Sequence, residues 1–150
     1  MTYDRPALEA AYARTLLPLA RMWRQAADKA LREMSLSASV GWALVQLSRL
    51  DDNVRQTDLA AELDITAASL VRLIDQMAAS GLVERRRDDN DARVSRVGLT
   101  TRGAAVAATI EQKLAALRNK MLHDMPDADL ETALDVAQRL AARFVQERKR

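Results

Sequence analysis

Cysteine is absent from the 150 residues and histidine occurs once. The first absence excludes disulfides, thiol redox sensing and thiolate metal sites, and a lone histidine leaves no zinc constellation. Glycine and proline number only 4 and 3, and aromatics make up 3% of the chain. With so few breakers in an Ala- and Leu-rich sequence, helix should dominate. No apolar run approaches the roughly 18 residues of a membrane span, and the N-terminus lacks a signal-peptide core. A cytoplasmic protein with no membrane partner is therefore expected. A Gly-rich phosphate loop, a His-centred nucleophile and a metal cluster are missing too, so neither an enzyme nor a cofactor is expected. Charge of one sign is also scarce. A net charge of +2 cannot argue for nucleic acid by its size, only by where the arginines sit. What is there is 49% hydrophobic and 29% charged, the balance of a folded domain with a core.

Residues Thr66 to Thr100 organise the rest. Thr66 can cap a helix, since its hydroxyl can accept an orphan N–H of the first turn. Leu70, Leu73, Ile74 and Met77 follow at i, i+3, i+4 and i+7, one apolar stripe at helical period. Gly81 stands where a left-handed residue ends a helix most cheaply. The other face carries Ala67, Ala68, Ser69, Arg72 and Gln76, small or hydrogen-bonding and suited to a major groove. Directly after Gly81, Leu82 to Arg87 and Arg93 to Leu99 read as two strands around an Asp88–Asp91 tip. This hairpin holds Arg85, Arg86, Arg87, Arg93 and Arg96, offset by four acids. By charge alone it is an ordinary solvated hairpin. Its place beside the capped helix makes it a wing, whose arginines can reach phosphates or a minor groove.

Upstream, a helix from about Pro6 to Met34 keeps its apolar stripe across Pro18, which should kink it or split it. Ser35 or Ser37 can cap a second helix ending near Leu50, with Trp42 packing in it or lining a ligand pocket. Asp51–Asn53 is a turn, Val54–Arg55 a minimal strand, and Gln56–Leu63 a short helix with Leu59, Ala60 and Leu63 inward. This helix and the one from Thr66, joined by about three residues, form a helix-turn-helix pattern. Downstream, Thr100 caps a helix striped by Val106, Ile110, Leu114, Leu117 and Met121. Pro126 opens another, with Leu130, Leu134, Ala137, Ala141 and Phe144 near a heptad seam. Arg148–Arg150 reads as a solvated tail.

Those long outer helices need something to cover their stripes. An intramolecular bundle would do so, but a dimerisation module built from both chain ends also pairs two reading heads for two half-sites. The expected architecture is mainly α with a small β-hairpin wing. Residues 1–36 and 101–150 form a helical dimerisation region around a winged helix-turn-helix DNA-binding domain at 37–100.

Three stretches, QTDLAAEL (Gln56–Leu63), SLVRLIDQMAASGLVERR (Ser69–Arg86) and DARVSRVGLTTRG (Asp91–Gly103), resemble the MarR family of winged helix-turn-helix regulators, with a SlyA-like character. The resemblance rests on the Leu-Val-x-Arg-Arg strand, the Asp-x-Arg of the wing and the closing Leu-Thr-x-x-Gly, in that order. It implies a homodimer on an inverted-repeat operator, usually repressing nearby genes. It also implies that Arg93 reaches the minor groove, that Asp91 holds Arg93 in place, and that Arg72 and Arg96 match basic positions of SlyA-like members. A crevice between dimerisation helices and reading head, often taking small aromatic acids, is implied too. Tyr12, Trp23, Arg24, Trp42 and His123 are then lining candidates, though each is also explained by packing or surface, and His123 as a helix-dipole partner. The chain departs from the family at Arg55, where a capping Thr is common, and at Asp64, where Gly is.

The expected function is a sequence-specific DNA-binding regulator, released by a small aromatic or phenolic ligand. Gln56, Thr66, Ala67, Ser69, Arg72, Gln76, Arg85, Arg86, Arg87, Arg93 and Arg96 are the expected contacts with double-stranded DNA. Ser69, Arg72 and Gln76 face base edges, while Arg85–Arg87 and the helix start at Thr66 face phosphates. Two alternatives are an architectural or silencing-antagonist DNA binder without a ligand, and a winged helix that binds protein.

Overall fold

The first helix, α1 (Arg5–Arg32), starts where the Asp4 carboxylate accepts the Ala7 N–H at 2.9 Å. It runs unbroken through Pro18, because neighbouring turns keep their bonds when one N–H is lost. The computed structural model describes residues 4–50 and 53–149. Asp51 and Asp52 of the expected turn, and Arg150 of the tail, lie outside the described residues. Ser37, not Ser35, caps α2 (Ala38–Arg49), accepting the Val40 N–H at 3.3 Å.

The short strand is present as β1 (Val54–Arg55), and α3 (Gln56–Leu63) follows without a side-chain cap. Asp64 then adopts a left-handed conformation (φ 52°, ψ 46°), which accounts for the appeal of glycine there and which Asp tolerates better than most residues. The next helix, α4 (Ala67–Ala79), buries Leu70, Leu73, Ile74 and Met77, each contributing about 1.5–3 kcal/mol. Gly81 (φ 71°) ends it: the Leu82 N–H reaches Met77 and the Gly81 N–H reaches Ala78, as a left-handed C′ residue permits.

The wing strands are β2 (Val83–Arg87) and β3 (Ser95–Leu99). The sheet has three strands in the order β1-β3-β2, with Val54 opposite Val97 and Arg85 opposite Val97 on the other side. The return strand begins at Ser95 rather than Arg93, because Asp88 and Asp91 take the tip's N–H groups and hold it off the ladder.

Next come α5 (Thr101–Leu122) and α6 (Asp127–Glu147). Two compact units divide the chain, Met1–Leu117 and Arg118–Arg150, with the boundary inside α5. The first unit holds the core: Leu31, Leu44, Leu59, Leu70, Ile74, Met77, Val97 and Ile110 are nearly inaccessible, with Ala107 and Leu114 packed among them. In the second, the expected seam of α6 is open, and Leu134 and Phe144 are exposed. Among the described residues no helix is long and apolar enough to cross a membrane.

Candidate nucleic-acid interface

The site begins at Thr66. Its hydroxyl accepts the Ser69 N–H at 3.1 Å and donates to the Ser69 hydroxyl at 3.0 Å, closing the first turn of α4. With the apolar stripe buried, Ala67, Ala68, Val71, Arg72, Asp75 and Gln76 are left exposed. Gln56 is half-buried at the first position of α3. Arg72 has no ion-pair partner among the described residues, so its guanidinium is available to a ligand.

Asp75 ties this helix to the wing by accepting from Arg85 on β2. Arg86 bonds Glu84 through Nε at 3.0 Å, and Arg87 is exposed with no ion pair among the described residues. The three consecutive arginines therefore differ: two are held by acids and one is unpaired.

The tip is built on Asp88, which is buried. One carboxylate oxygen accepts the Asn90 and Asp91 N–H groups at 2.9 and 3.0 Å. The other accepts Arg96 Nε, while Arg96 Nη1 donates to the Asn53 carbonyl at 2.7 Å. The Asn90 N–H, then Arg96, hold the Asp88 carboxyl below the ordinary carboxylate range. Asp91, fixed by that turn, accepts Arg93 Nε at 3.1 Å and Nη2 at 3.3 Å, and the Arg93 backbone N–H at 3.0 Å. The Arg93 guanidinium correspondingly lowers the Asp91 pKa. The Arg93 side chain is 90% exposed and that of Arg96 only 24%. Arg93 thus projects from the tip, whereas Arg96 faces inward and braces the wing against the turn before β1.

From the sequence, Asp88 is a residue of the turn-forming tip and one of its four offsetting acids; its bond to Arg96, and the role of Asp75, were not foreseen. Asp88 carried a signal: an Asp two and three residues before turn N–H groups is an Asx-turn former. The Asp75–Arg85 contact depends on how α4 meets β2, which no local pattern states.

Of the five ligand candidates, Arg24 and Trp42 come together. The guanidinium carbon lies 4.4 Å from the indole centroid, and Asp28 accepts both Arg24 Nε (3.1 Å) and Trp42 Nε1 (2.7 Å). They line a cleft of about 410 Å³ with Ser69, Arg72 and Gln76, over an apolar floor of Leu63, Ile65 and Leu73. Tyr12 and Trp23 are exposed on α1 and do not line it. His123 lies beyond α5, its Nδ1 3.3 Å from the Lys120 carbonyl.

Residues 35–94 match the MarR family. Among solved structures, transcriptional regulator PA3341 is 27% identical with a TM-score of 0.82, over 90% of this chain and 98% of that one. AbsC, a MarR family transcriptional regulator from Streptomyces coelicolor, shares 23% identity and a TM-score of 0.77, over 97% of this chain and 98% of its own. A mutant MarR from E. coli, complexed with operator DNA, shares 20% identity and a TM-score of 0.73, over 92% and 99%. Residues 35–94 thus match the MarR family, and along almost its whole length the chain has the winged helix-turn-helix fold of DNA-binding transcriptional regulators of that family.

Proposed function

We propose that the chain is a homodimeric repressor that binds an inverted-repeat operator and is released by a small aromatic acid. The observation that carries the DNA-reading part is the continuity of α4, β2 and the tip. A slim polar helix face with an unpaired Arg72 is tied through Asp75–Arg85 to a wing whose exposed Arg93 is pre-set by Asp91. On this reading Ser69, Arg72 and Gln76 meet base edges, Gln56, Thr66, Ala67 and Arg87 meet the backbone or its close approach, and Arg93 enters the minor groove. Arg85 and Arg86 reach phosphates only by sharing their acids. Arg96 serves by bracing, not contact. The similar fold of the E. coli MarR complexed with operator DNA supports the placement.

The dimer is supported by α1. Leu17, Leu19 and Met22 are 59, 58 and 58% exposed, and Leu8, Leu16 and Trp23 extend the apolar surface, more than a monomer usually leaves uncovered. Both chain ends, residues 1–36 and 101–150, serve as the dimerisation region. Binding-site selection from random duplexes, followed by titration at several salt concentrations, tests the function. A palindromic consensus and a steep salt slope are expected. A specific-to-nonspecific affinity ratio near one at fixed salt would replace this reading with an architectural binder.

The ligand response is supported by the Arg24–Trp42 cleft. Two guanidinium groups and an indole beside an apolar floor suit an aromatic carboxylate. Because Arg72, Ser69 and Gln76 line the cleft as well as the reading face, occupancy and base reading would compete for the same side chains. Titrating aromatic carboxylates into the protein–operator complex tests this; no release across a broad panel would leave a constitutive binder.

A further inference from the structure

The reading helix carries one sizeable apolar side chain that the core does not use. Val71 is 44% exposed, packs neither in the buried cluster nor in the partly buried layer around it, and lies outside the Arg24–Trp42 cleft. A β-branched residue is also a weak choice for an exposed helix position on propensity grounds. A single exposed valine is ordinary on most surfaces. Its neighbours make this one informative. Ala67 and Ala68, one turn earlier, are exposed and present only methyl groups, so they do not hold a partner surface away from the helix. Arg72 follows directly and is unpaired among the described residues. Asp75, one turn later, is drawn to Arg85 and so turned toward β2. The isopropyl group is therefore the main apolar feature of the outward face, adjacent to its one uncommitted cation.

A base-pair edge in the major groove offers one apolar feature of matching kind, the C5 methyl of thymine. Resting on the reading that α4 enters that groove, we infer that Val71 recognises a thymine C5 methyl in each half-site, within a step or two of the base pair met by Arg72. The contact is dry and local. It adds specificity for T over C at one position without adding a phosphate contact, so it leaves the salt dependence unchanged.

The test uses the full-length protein and the duplex obtained by selection, with each thymine replaced singly by uracil, which deletes only the methyl. For the wild type, one thymine per half-site is expected to show a loss of about three- to fivefold on replacement, the worth of one buried methyl. Val71→Ala should bind the unmodified duplex more weakly by a similar factor and be indifferent to uracil at that position alone. It should keep the wild-type salt slope and melt no lower than the wild type, since Val71 is outside the core and alanine is the better helix former. Val71→Thr, which keeps the branched shape, should retain part of the methyl sensitivity. The inference is overturned if no thymine is sensitive in the wild type, or if Val71→Ala keeps the sensitivity. Arg72→Ala separates this from failure of the underlying reading. If the helix lies in the groove but Val71 reads nothing, Arg72→Ala still relaxes the selected consensus while the uracil scan is silent. If the helix is not in the groove, both are silent.

Discussion

Replacing Gly103 by alanine sets two physical effects against each other, and their signs differ. On helix propensity alone, Ala in the first turn of α5 gains up to about 1 kcal/mol over Gly. The fold opposes it. A Cβ on Gly103 would stand 1.8 Å from the Leu82 carbonyl oxygen and 2.9 Å from its carbon. A close C···O contact needs roughly 3.3 Å, so α5 must withdraw by about 1.5 Å. The oxygen cannot swing aside, because it accepts the Thr100 N–H at 3.1 Å. Nor can the turn slide freely: the Thr100 hydroxyl accepts the Gly103 N–H at 3.0 Å and donates to the Gly81 carbonyl at 2.6 Å. Overpacking of this kind costs about 1–3 kcal/mol even where side chains can adjust, and here backbone must move and a cap is strained. A net loss of about 2 kcal/mol is expected, or a fall in Tm of about 4–8 °C for a chain of this size. Circular-dichroism melts at matched protein concentration check it. Operator affinity should fall too, since the same joint roots the wing. Gly41→Ala is the control. Its Cβ would meet Leu31 Cδ2 at 2.6 Å, the far end of a flexible side chain, so a smaller loss is expected. An unchanged or raised Tm for Gly103→Ala would refute the close-approach reasoning.

Acid should loosen the wing before the helices. The pKa values of Asp88 and Asp91 are depressed in the folded protein, by the Asn90 N–H with Arg96 and by Arg93 respectively. Their stabilisation is therefore fully present above the unfolded carboxylate pKa and is lost as pH falls through the lower folded values. Amide exchange at Asn90, Asp91 and Arg93 would show it, and Asp88→Asn should give a loosened tip at neutral pH, with only the Asp91 contribution left to be lost on acidification. Arg93→Ala should weaken operator binding most on A·T-rich flanks, where the minor groove is narrow; a loss independent of flank would rule out minor-groove insertion. Arg87→Ala should lower the salt slope by about one phosphate contact, whereas Arg96→Met should disorder the tip in exchange measurements more than it alters the slope. Leu19→Glu, on the exposed face of α1, should shift sedimentation toward monomer at micromolar concentration; an unchanged species would place the dimer contact elsewhere.

Much of this protein is written in local patterns. Thr66 with Leu70, Leu73, Ile74 and Met77 specifies a capped, one-sided helix, since capping and the 3.6-residue period are properties of neighbouring residues. Gly81 marks its end for the same reason, and the Asp-rich tip marks the wing's turn. Local pattern also separates the polar face of α4 from its core face, and so supplied the base-reading candidates. What it could not settle is which charge answers which. Arg85, Arg86, Arg87, Arg93 and Arg96 look alike along the chain. The resemblance already implied that Asp91 holds Arg93, but only folding places Asp75 beside Arg85 and the Asn53 carbonyl and Asp88 around Arg96, leaving Arg87 with no ion pair among the described residues. The Arg96–Asn53 contact spans 43 residues, and the Asp75–Arg85 pair joins a helix to a strand, so neither follows from a local pattern. The meeting of Arg24 with Trp42 and Arg72 in one cleft is of the same kind. The stretch from Thr66 to Thr100 thus determined by itself that a reading helix and a wing exist. The tertiary structure decided which arginines stand exposed and which are taken up by contacts within the wing, because an arginine's availability depends on its partner in space.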